Sequence, residues 1–255
     1  MENVINSANP PTDENRKKLD ALFSSLKQAI SKESNSELQS EFNLQVQNTF
    51  VKAIKEGKAP WLNEQDGSNL APYNPATGQK FQKFNRLLLD VNQSLMGSKD
   101  PRWLPAAYLY ENNFLIKKGS NPVTISYAHK KKDNTFATSF VKMYNGSQIE
   151  NMPELQIDSV SNSPVKTYHP ETLHPKDTLR ADIANYTHAQ DAKAPFQPKG
   201  KGRTDEVAKF LESSKSGTIF YIARDAQITA EKMMSARSEK SNSKVRETQS
   251  EIEIN

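Results

Sequence analysis

The sequence contains no cysteine and no long hydrophobic run. Without cysteine the chain forms no disulfide, uses no thiol nucleophile and binds no metal through thiolates, a composition that fits a reducing compartment. No apolar stretch approaches the roughly 18–20 residues of a membrane span, and residues 1–11 lack the basic start and apolar stretch of a signal peptide. We therefore expect a cytoplasmic protein that makes no membrane contact.

Hydrophobic residues are also scarce. They make up 35% of the 255 residues, with a mean hydropathy of -0.79, whereas globular chains usually hold about 45–50%. A chain of this length is still sufficient for one large domain or two modest ones. We therefore expect the folded part to be shorter than the chain, with a disordered lead over residues 1–12 and a disordered tail over residues 237–255.

Known catalytic and metal-binding motifs are missing as well. The histidines form no His-Glu-x-x-His pair, and His169 and His174 lie in Pro-rich sequence rather than at the i, i+4 spacing of a zinc-binding helix. No Gly-x-Ser-x-Gly, Walker loop or dinucleotide-binding fingerprint is present. The spacing of the acidic residues selects no pair for acid–base catalysis. We therefore predict a protein without cofactor, metal or enzymatic activity.

Positive charge is concentrated in the centre of the chain. Residues 51–146 contain 14 Lys and Arg against 7 Asp and Glu, whereas residues 1–50 and the C-terminal remainder are slightly acidic. The same central segment holds 12 of the 21 aromatic residues, including both tryptophans. Phosphates attract cations, and unpaired bases stack on flat rings. This combination therefore predicts binding to single-stranded nucleic acid.

Hydrophobic periodicity predicts a mainly helical chain with one β-hairpin. Strands over residues 122–128 and 135–144 alternate apolar and polar side chains around a basic tip. We also expect a strand-like run over residues 217–223. Helices are expected over residues 13–32, 37–56, 84–96, 104–112, 177–186, 204–213 and 225–235. The predicted class is α+β, with helices packed on a small antiparallel sheet in a domain of residues 13–146, and an α/β extension of unknown role over residues 147–236.

Five short motifs of the central segment have the order and spacing of a known domain. They are Gly57-Lys-Ala-Pro-Trp61, Pro72-Tyr-Asn-Pro-Ala-Thr-Gly78, Phe81-Gln-Lys-Phe-Asn-Arg-Leu-Leu-Leu89, Asp100-Pro-Arg-Trp-Leu104 and Ile116-Lys-Lys-Gly119. Residues 40–146 thereby resemble the N-terminal domain of ArdC-type antirestriction proteins, a domain also found in some conjugative plasmid primases. In the antirestriction proteins this domain is associated with single-stranded DNA. The resemblance implies that ligand and a plasmid or other mobile-element setting.

The sequence also departs from the family pattern. Residues 62–67 stand where relatives often have a second tryptophan, and Phe84 stands where they have a glycine before the asparagine of the third motif. Full-length ArdC relatives resemble zinc metallopeptidases in their C-terminal half, with a His-Glu-x-x-His helix, and nothing after residue 146 matches that helix. The resemblance therefore implies the DNA-binding domain without the peptidase.

Aromatic side chains of the motifs are interpreted as base-stacking residues. A tryptophan beside a proline packs under a loop as readily as it stacks on a base, so both interpretations stay open for the two tryptophans. Asn74 and Asn85 are expected to hold the backbone through side-chain hydrogen bonds instead of contacting DNA. The predicted stacking residues are Trp61, Tyr73, Phe84 and Trp103.

Basic side chains in two loops are interpreted as a phosphate-binding track. One loop carries Lys117 and Lys118, and the hairpin tip carries a run of three lysines. Arg86 and Arg102 lie inside motifs and suit either a phosphate or an internal ion pair, for Arg102 with Asp100. The predicted phosphate-binding residues are Lys117, Lys118, Lys130, Lys131, Lys132, Arg86 and Arg102.

The sequence is also compatible with two other functions. The helices of residues 13–57 and 204–235 suit an interaction module that recruits conjugation or replication proteins. An enzyme, as a primase accessory or a degenerate peptidase, would need an unrecognised active site after residue 146, where no catalytic motif is found.

Overall fold

The computed structural model describes residues 35–68, 70–130, 134, 136–155, 165, 167–170, 174–198 and 203–252. The chain divides into two compact units, the first comprising residues 1–49 and 72–156 and the second residues 50–71 and 157–255. The predicted helix over residues 13–32 and the tip lysines Lys131 and Lys132 lie outside the described residues.

Helix α1 (Asn35–Lys55) confirms the helix predicted over residues 37–56. Its apolar residues recur every four positions and are buried. Within the first unit Phe42 packs against Phe140 at 5.1 Å between ring centroids, and within the second unit Phe50 stacks on Trp61 at 6.0 Å. Gly57 follows the helix with a φ of +65°, a left-handed conformation that glycine adopts without steric cost.

The first unit packs helices against a three-stranded antiparallel sheet, which confirms the α+β class. The strand order is β1-β3-β2, and the β2–β3 register runs from Val123 opposite Met143 to Lys130 opposite Phe136. The elements are α2 (Lys83–Leu95), β1 (Trp103–Pro105), α3 (Ala106–Glu111), β2 (Val123–Lys130) and β3 (Phe136–Asn145).

The hydrophobic pattern explains most of these elements. Val123 and Ile125 point to the buried face of β2, and the apolar stripe of α2 is buried. The sequence predicted a helix directly from residue 104, but Trp103 and Leu104 first pair with Asn145 and Tyr144 of β3, so the helix begins at Ala106. Pairing with a strand distant in sequence overrides the local preference.

The second unit contains α4 (Pro175–Asp191), α5 (Thr204–Ser213) and α6 (Thr218–Ile252), together with a short 3-10 turn at Pro60–Leu62. Residues 50–71 were predicted to belong to the central domain, but they pack with this unit. Gln65 and Phe196 exchange backbone hydrogen bonds of 3.0 and 2.8 Å. At Gly67 an added Cβ would lie 2.9 Å from the carbonyl oxygen of Lys193, so only glycine allows this approach.

The predicted strand over residues 217–223 is wrong, because these residues form the start of α6. Ile219, Ile222, Ala226 and Ala230 are buried at helical spacing. The helix continues to Ile252 through residues for which composition predicted a disordered tail. Among the described residues of the second unit the only β feature is an isolated bridge, so this part is helical instead of α/β. No helix within the described ranges is long and apolar enough to cross a bilayer.

Candidate nucleic-acid interface

Both tryptophans are buried. Trp103, on β1, is 0% exposed, and Trp61, in the second unit, is 2% exposed beneath the loop that carries it. A ring enclosed on both faces has no surface for a base, so the stacking interpretation is wrong for Trp61 and Trp103. Both rings are instead buried packing residues, Trp61 from a short 3-10 turn and Trp103 from strand β1.

The two arginines of the motifs are buried as well. Arg102 is 8% exposed and holds Asp100 through two bonds, from Nε to Oδ1 at 2.9 Å and from Nη2 to Oδ2 at 2.7 Å. Its Nη1 donates to the carbonyl oxygen of Pro153 at 2.6 Å. Arg86 is 5% exposed. Neither guanidinium presents a free face to phosphate, so both phosphate-binding assignments are wrong, and the ion pair with Asp100 is the interpretation that holds.

A buried amide network joins this ion pair to the end of β3. Asn145 is 0% exposed, and its Nδ2 donates to the carbonyl oxygens of Asp100 at 2.7 Å and Arg102 at 3.2 Å. Its Oδ1 accepts from the Ser98 hydroxyl at 2.8 Å and from the backbone N–H of Ser147 at 3.1 Å. The motif of residues 100–104 therefore builds the fold of the first unit.

Gly146 completes this network through its lack of a side chain. A Cβ there would overlap Oδ2 of Asp100, an oxygen that the ion pair holds in place. We expect Gly146→Ala to lower the free energy of unfolding by about 1–3 kcal/mol, the usual cost of overpacking. Urea denaturation followed by circular dichroism measures this change. Ser98→Ala serves as the comparison, because it adds no atom and removes two hydrogen bonds of about 1 kcal/mol each: the one that the Ser98 hydroxyl donates to Asn145 and the one that it accepts from the N–H of Asp100.

Tyr73 and Phe84 remain as half-buried rings of the first unit. The backbone of Tyr73 is fixed by hydrogen bonds to Pro101 and Trp103, each 2.9 Å long. Burial raises the pKa of the Tyr73 hydroxyl, with the charge of Arg102 opposing this effect and that of Asp100 adding to it. Both residues are thus partly exposed, and their stacking role stays a prediction.

The two asparagines of the motifs hold backbone, as predicted. Oδ1 of Asn74 accepts from the N–H of Ala76 at 2.9 Å, which closes the turn before Gly78. Asn85 binds the outer edge of β2, donating from Nδ2 to the Ser126 carbonyl at 2.8 Å and accepting from the Ser126 N–H at 3.4 Å. The Asn85 side chain therefore forms hydrogen bonds with the backbone N–H and carbonyl of Ser126, two groups that the sheet leaves unpaired.

Seven lysines of the first unit are exposed and have no carboxylate partner among the described residues. The predicted residues Lys117, Lys118 and Lys130 are exposed, and so are four that the sequence interpretation missed because each stands alone: Lys80, Lys83, Lys99 and Lys142. No carboxylate of the described residues pairs with any of these seven lysines. Residues 72–156 as a whole hold eleven basic against six acidic residues. The unit therefore presents uncompensated positive charge.

In the second unit, Lys176, Lys209, Lys215 and Lys232 are likewise exposed without a described carboxylate partner, but three lysines near the end of α1 are paired. Lys55 pairs with Glu212 at 2.5 Å, Lys58 with Glu56 at 2.9 Å, and Lys52 with Glu56 at 3.9 Å. Their charge is compensated locally.

A small cavity of about 20 Å³ with a mainly apolar lining lies within the second unit. Asp182 and Thr178, one turn apart on α4, line it together with Arg203, which pairs with Glu206 at the start of α5. The Asp182 carboxyl has no hydrogen-bond partner among the described residues, and burial raises its pKa to about 7. Across the described part of the chain no three His, Asp or Glu side chains come together as metal ligands.

Known proteins resemble this chain in sequence and in fold. The family described as the N-terminal domain of anti-restriction factor ArdC matches residues 40–160. The chain is also 20% identical over 192 residues to the DNA primase TraC of Escherichia coli, covering 64% of this chain. It spans only 17% of the length of that relative.

Two solved structures share the fold. The metal-free antirestriction protein ArdC of the R388 plasmid superposes with a TM-score of 0.53 at 14% identity, over 75% of this chain and 96% of that one. Its Mn(II)-bound form gives a TM-score of 0.56 at 13% identity, over 76% and 97%. The aligned part, three quarters of this chain, is longer than residues 1–160. The likeness in fold therefore extends past residue 160 into the second unit. Residues 40–160 of this chain therefore form an N-terminal domain of the ArdC type.

Proposed function

We propose that this chain binds single-stranded DNA with little sequence preference, in a plasmid or other mobile-element context. The observation that carries this proposal is the set of seven exposed lysines of the first unit, which no described carboxylate neutralises. The ArdC-type domain and the similarity to a plasmid antirestriction protein and a DNA primase support it. Coating of incoming single strands would shield them from nucleases or assist their transfer. Binding, and not catalysis, is the proposed activity.

The physical mechanism is electrostatic. Each lysine that meets a phosphate releases condensed counterions, so the affinity falls as salt concentration rises. The partly exposed residues Tyr73 and Phe84 would stack on unpaired bases, which a duplex keeps stacked inside. Single strands are therefore preferred over duplexes, and the sequence of the strand matters little because every base has a flat face.

Fluorescence anisotropy tests the proposal directly. Labelled single-stranded DNA, duplex DNA and single-stranded RNA of one length are titrated with the protein at 50 and 200 mM salt. We expect the tightest binding for single-stranded DNA and a marked loss of affinity at the higher salt. Equal binding of the duplex, or no binding of single strands at the lower salt, would overturn the proposal.

Removal of the loop lysines should reduce the number of phosphate contacts. For single strands the slope of log K against log salt is about -0.7 per phosphate contact. We expect the double variant Lys117→Ala/Lys118→Ala to flatten the slope by up to about 1.4, and a triple Ala variant of Lys130, Lys131 and Lys132 by up to about 2. Anisotropy titrations at four or more salt concentrations give these slopes.

A charge-matched control separates phosphate contacts from net charge. A triple Ala variant of Lys52, Lys55 and Lys58 removes the same charge from the second unit, where each lysine already has a carboxylate partner. Its slope should match that of the unmodified protein. If the control and the tip variant flatten the slope equally, the lysines act through overall charge alone and the assignment of a phosphate track fails.

A further inference from the structure

The first unit exposes an aromatic surface that contains neither tryptophan. Tyr108 and Phe114 stack at 6.3 Å between centroids with an interplanar angle of 29°. They rest on a buried cluster formed by Leu104, Leu109 and Ile149. On the same helix as Tyr108, Tyr110 is 52% exposed, a large ring that the core does not use.

Backbone hydrogen bonds make this surface rigid. The segment after α3 runs beside residues 147–151, with the N–H of Glu150 donating to the carbonyl of Leu115 at 2.8 Å and the N–H of Lys117 donating to the carbonyl of Gln148 at 2.9 Å. The side chain of Asn151 also accepts from the N–H of Leu115 at 3.1 Å. The rings are therefore held in place before any ligand arrives, so little ordering entropy is lost on binding.

Tyr144, on β3, is close enough to Tyr110 for the two hydroxyls to interact electrostatically. Burial raises the pKa of the Tyr144 hydroxyl, and the neighbouring Tyr110 raises it further. Lys142 lies two residues earlier on the same strand, hence on the same face of the sheet, and is exposed. One ring, that of Tyr144, and one cation, that of Lys142, thus lie on the same face of β3 at this end of the sheet.

Cations also follow the rings in sequence. Lys117 and Lys118 come directly after the Phe114–Ile116 segment, and the Nζ of Lys117 donates to the carbonyl oxygen of Ser147 at 2.7 Å, which fixes its ammonium beside the end of β3. Flat amphipathic rings bordered by unpaired positive charges are complementary to unpaired bases on a phosphate backbone. A hydrophobic protein partner would instead need a surface poor in lysine.

We propose that the exposed ring of Tyr110 is a base-stacking platform of the first unit, and that Lys117 and Lys118 bind the adjoining phosphates of the same strand. This inference rests on the proposed binding of single-stranded DNA. It supplies the exposed rings that the two buried tryptophans do not.

Substitution of Tyr110 tests the platform. A stacked ring contributes enough that its loss weakens binding of single-stranded DNA by roughly 5- to 100-fold. We expect Tyr110→Leu to show this loss with an unchanged salt slope, because no phosphate contact is removed, and Tyr110→Phe to bind as the unmodified protein does. Tyr221→Leu, at a tyrosine of the second unit that is 62% exposed, is the matched control and should leave the affinity unchanged.

Photocrosslinking gives a second readout. An oligonucleotide with halogenated uracils should crosslink within residues 106–118, and Tyr110→Leu should reduce the yield there. If the unmodified protein binds single strands and Tyr110→Leu binds equally well, the platform is overturned while the proposed function stands. If the unmodified protein binds no single-stranded DNA in the anisotropy assay, both fail.

Discussion

Asp182→Asn is expected to raise the free energy of unfolding above pH 7 by about 2–4 kcal/mol. Burial in the cavity of the second unit raises the pKa of this carboxyl to about 7, whereas an aspartate in an unfolded chain titrates near 4. The folded protein therefore has to accommodate a charge at neutral pH that the cavity solvates poorly. Asparagine keeps the shape of the side chain and removes that charge.

The sign of the pH dependence follows from the same difference. Between about pH 4 and pH 7 the folded state binds the proton of Asp182 more tightly than the unfolded state does, so this group makes the protein less stable as the pH rises through that window. Urea unfolding at pH 5 and pH 8 should show this loss in the unmodified protein and not in Asp182→Asn.

An exposed aspartate of the same unit serves as the control. Asp205 lies in the first turn of α5, where its charge favours the helix by less than about 1 kcal/mol. Asp205→Asn should therefore keep the pH dependence of the unmodified protein. If Asp182→Asn loses stability between pH 5 and pH 8 to the same extent as the unmodified protein, the buried carboxyl does not carry the effect.

Sequence periodicity predicted the elements whose own residues decide their structure. Helix α1 has an apolar stripe at steps of four and a terminating Gly57, and the β2–β3 hairpin alternates apolar and polar residues. The start of α6 was predicted as a strand because a short apolar run with isoleucines satisfies both patterns. The start of α6 is buried at helical spacing because it packs on α4. The local sequence carries no information about that packing.

The candidate site was predicted in outline only. The motifs identified the domain correctly, but their most distinctive side chains, Trp103 and Arg102, are buried in its core. Whether a side chain faces inward depends on partners far away in sequence. The loop of Arg102, for example, is held by Asn145. The local sequence does not indicate what surrounds the exposed lysines that stand alone. The same holds for Tyr110, which lies within a predicted helix.

Asp100→Ala is expected to lower the free energy of unfolding by about 3–5 kcal/mol. The substitution leaves the guanidinium of Arg102, which is 8% exposed, without the carboxylate that it holds through two bonds. An isolated buried charge has a large desolvation cost, and the Asn145 network loses the backbone arrangement that it binds. Urea denaturation monitored by circular dichroism measures the loss.

The double variant Asp100→Ala/Arg102→Met distinguishes a structural ion pair from a DNA contact. Removal of both charges should recover much of the stability lost in Asp100→Ala, because no buried charge is left without a partner. Under conditions where the double variant is folded, its salt slope for single-stranded DNA should equal that of the unmodified protein, since Arg102 does not contact phosphate. A slope flattened by about 0.7 would instead assign one phosphate to Arg102 and contradict its burial in the fold.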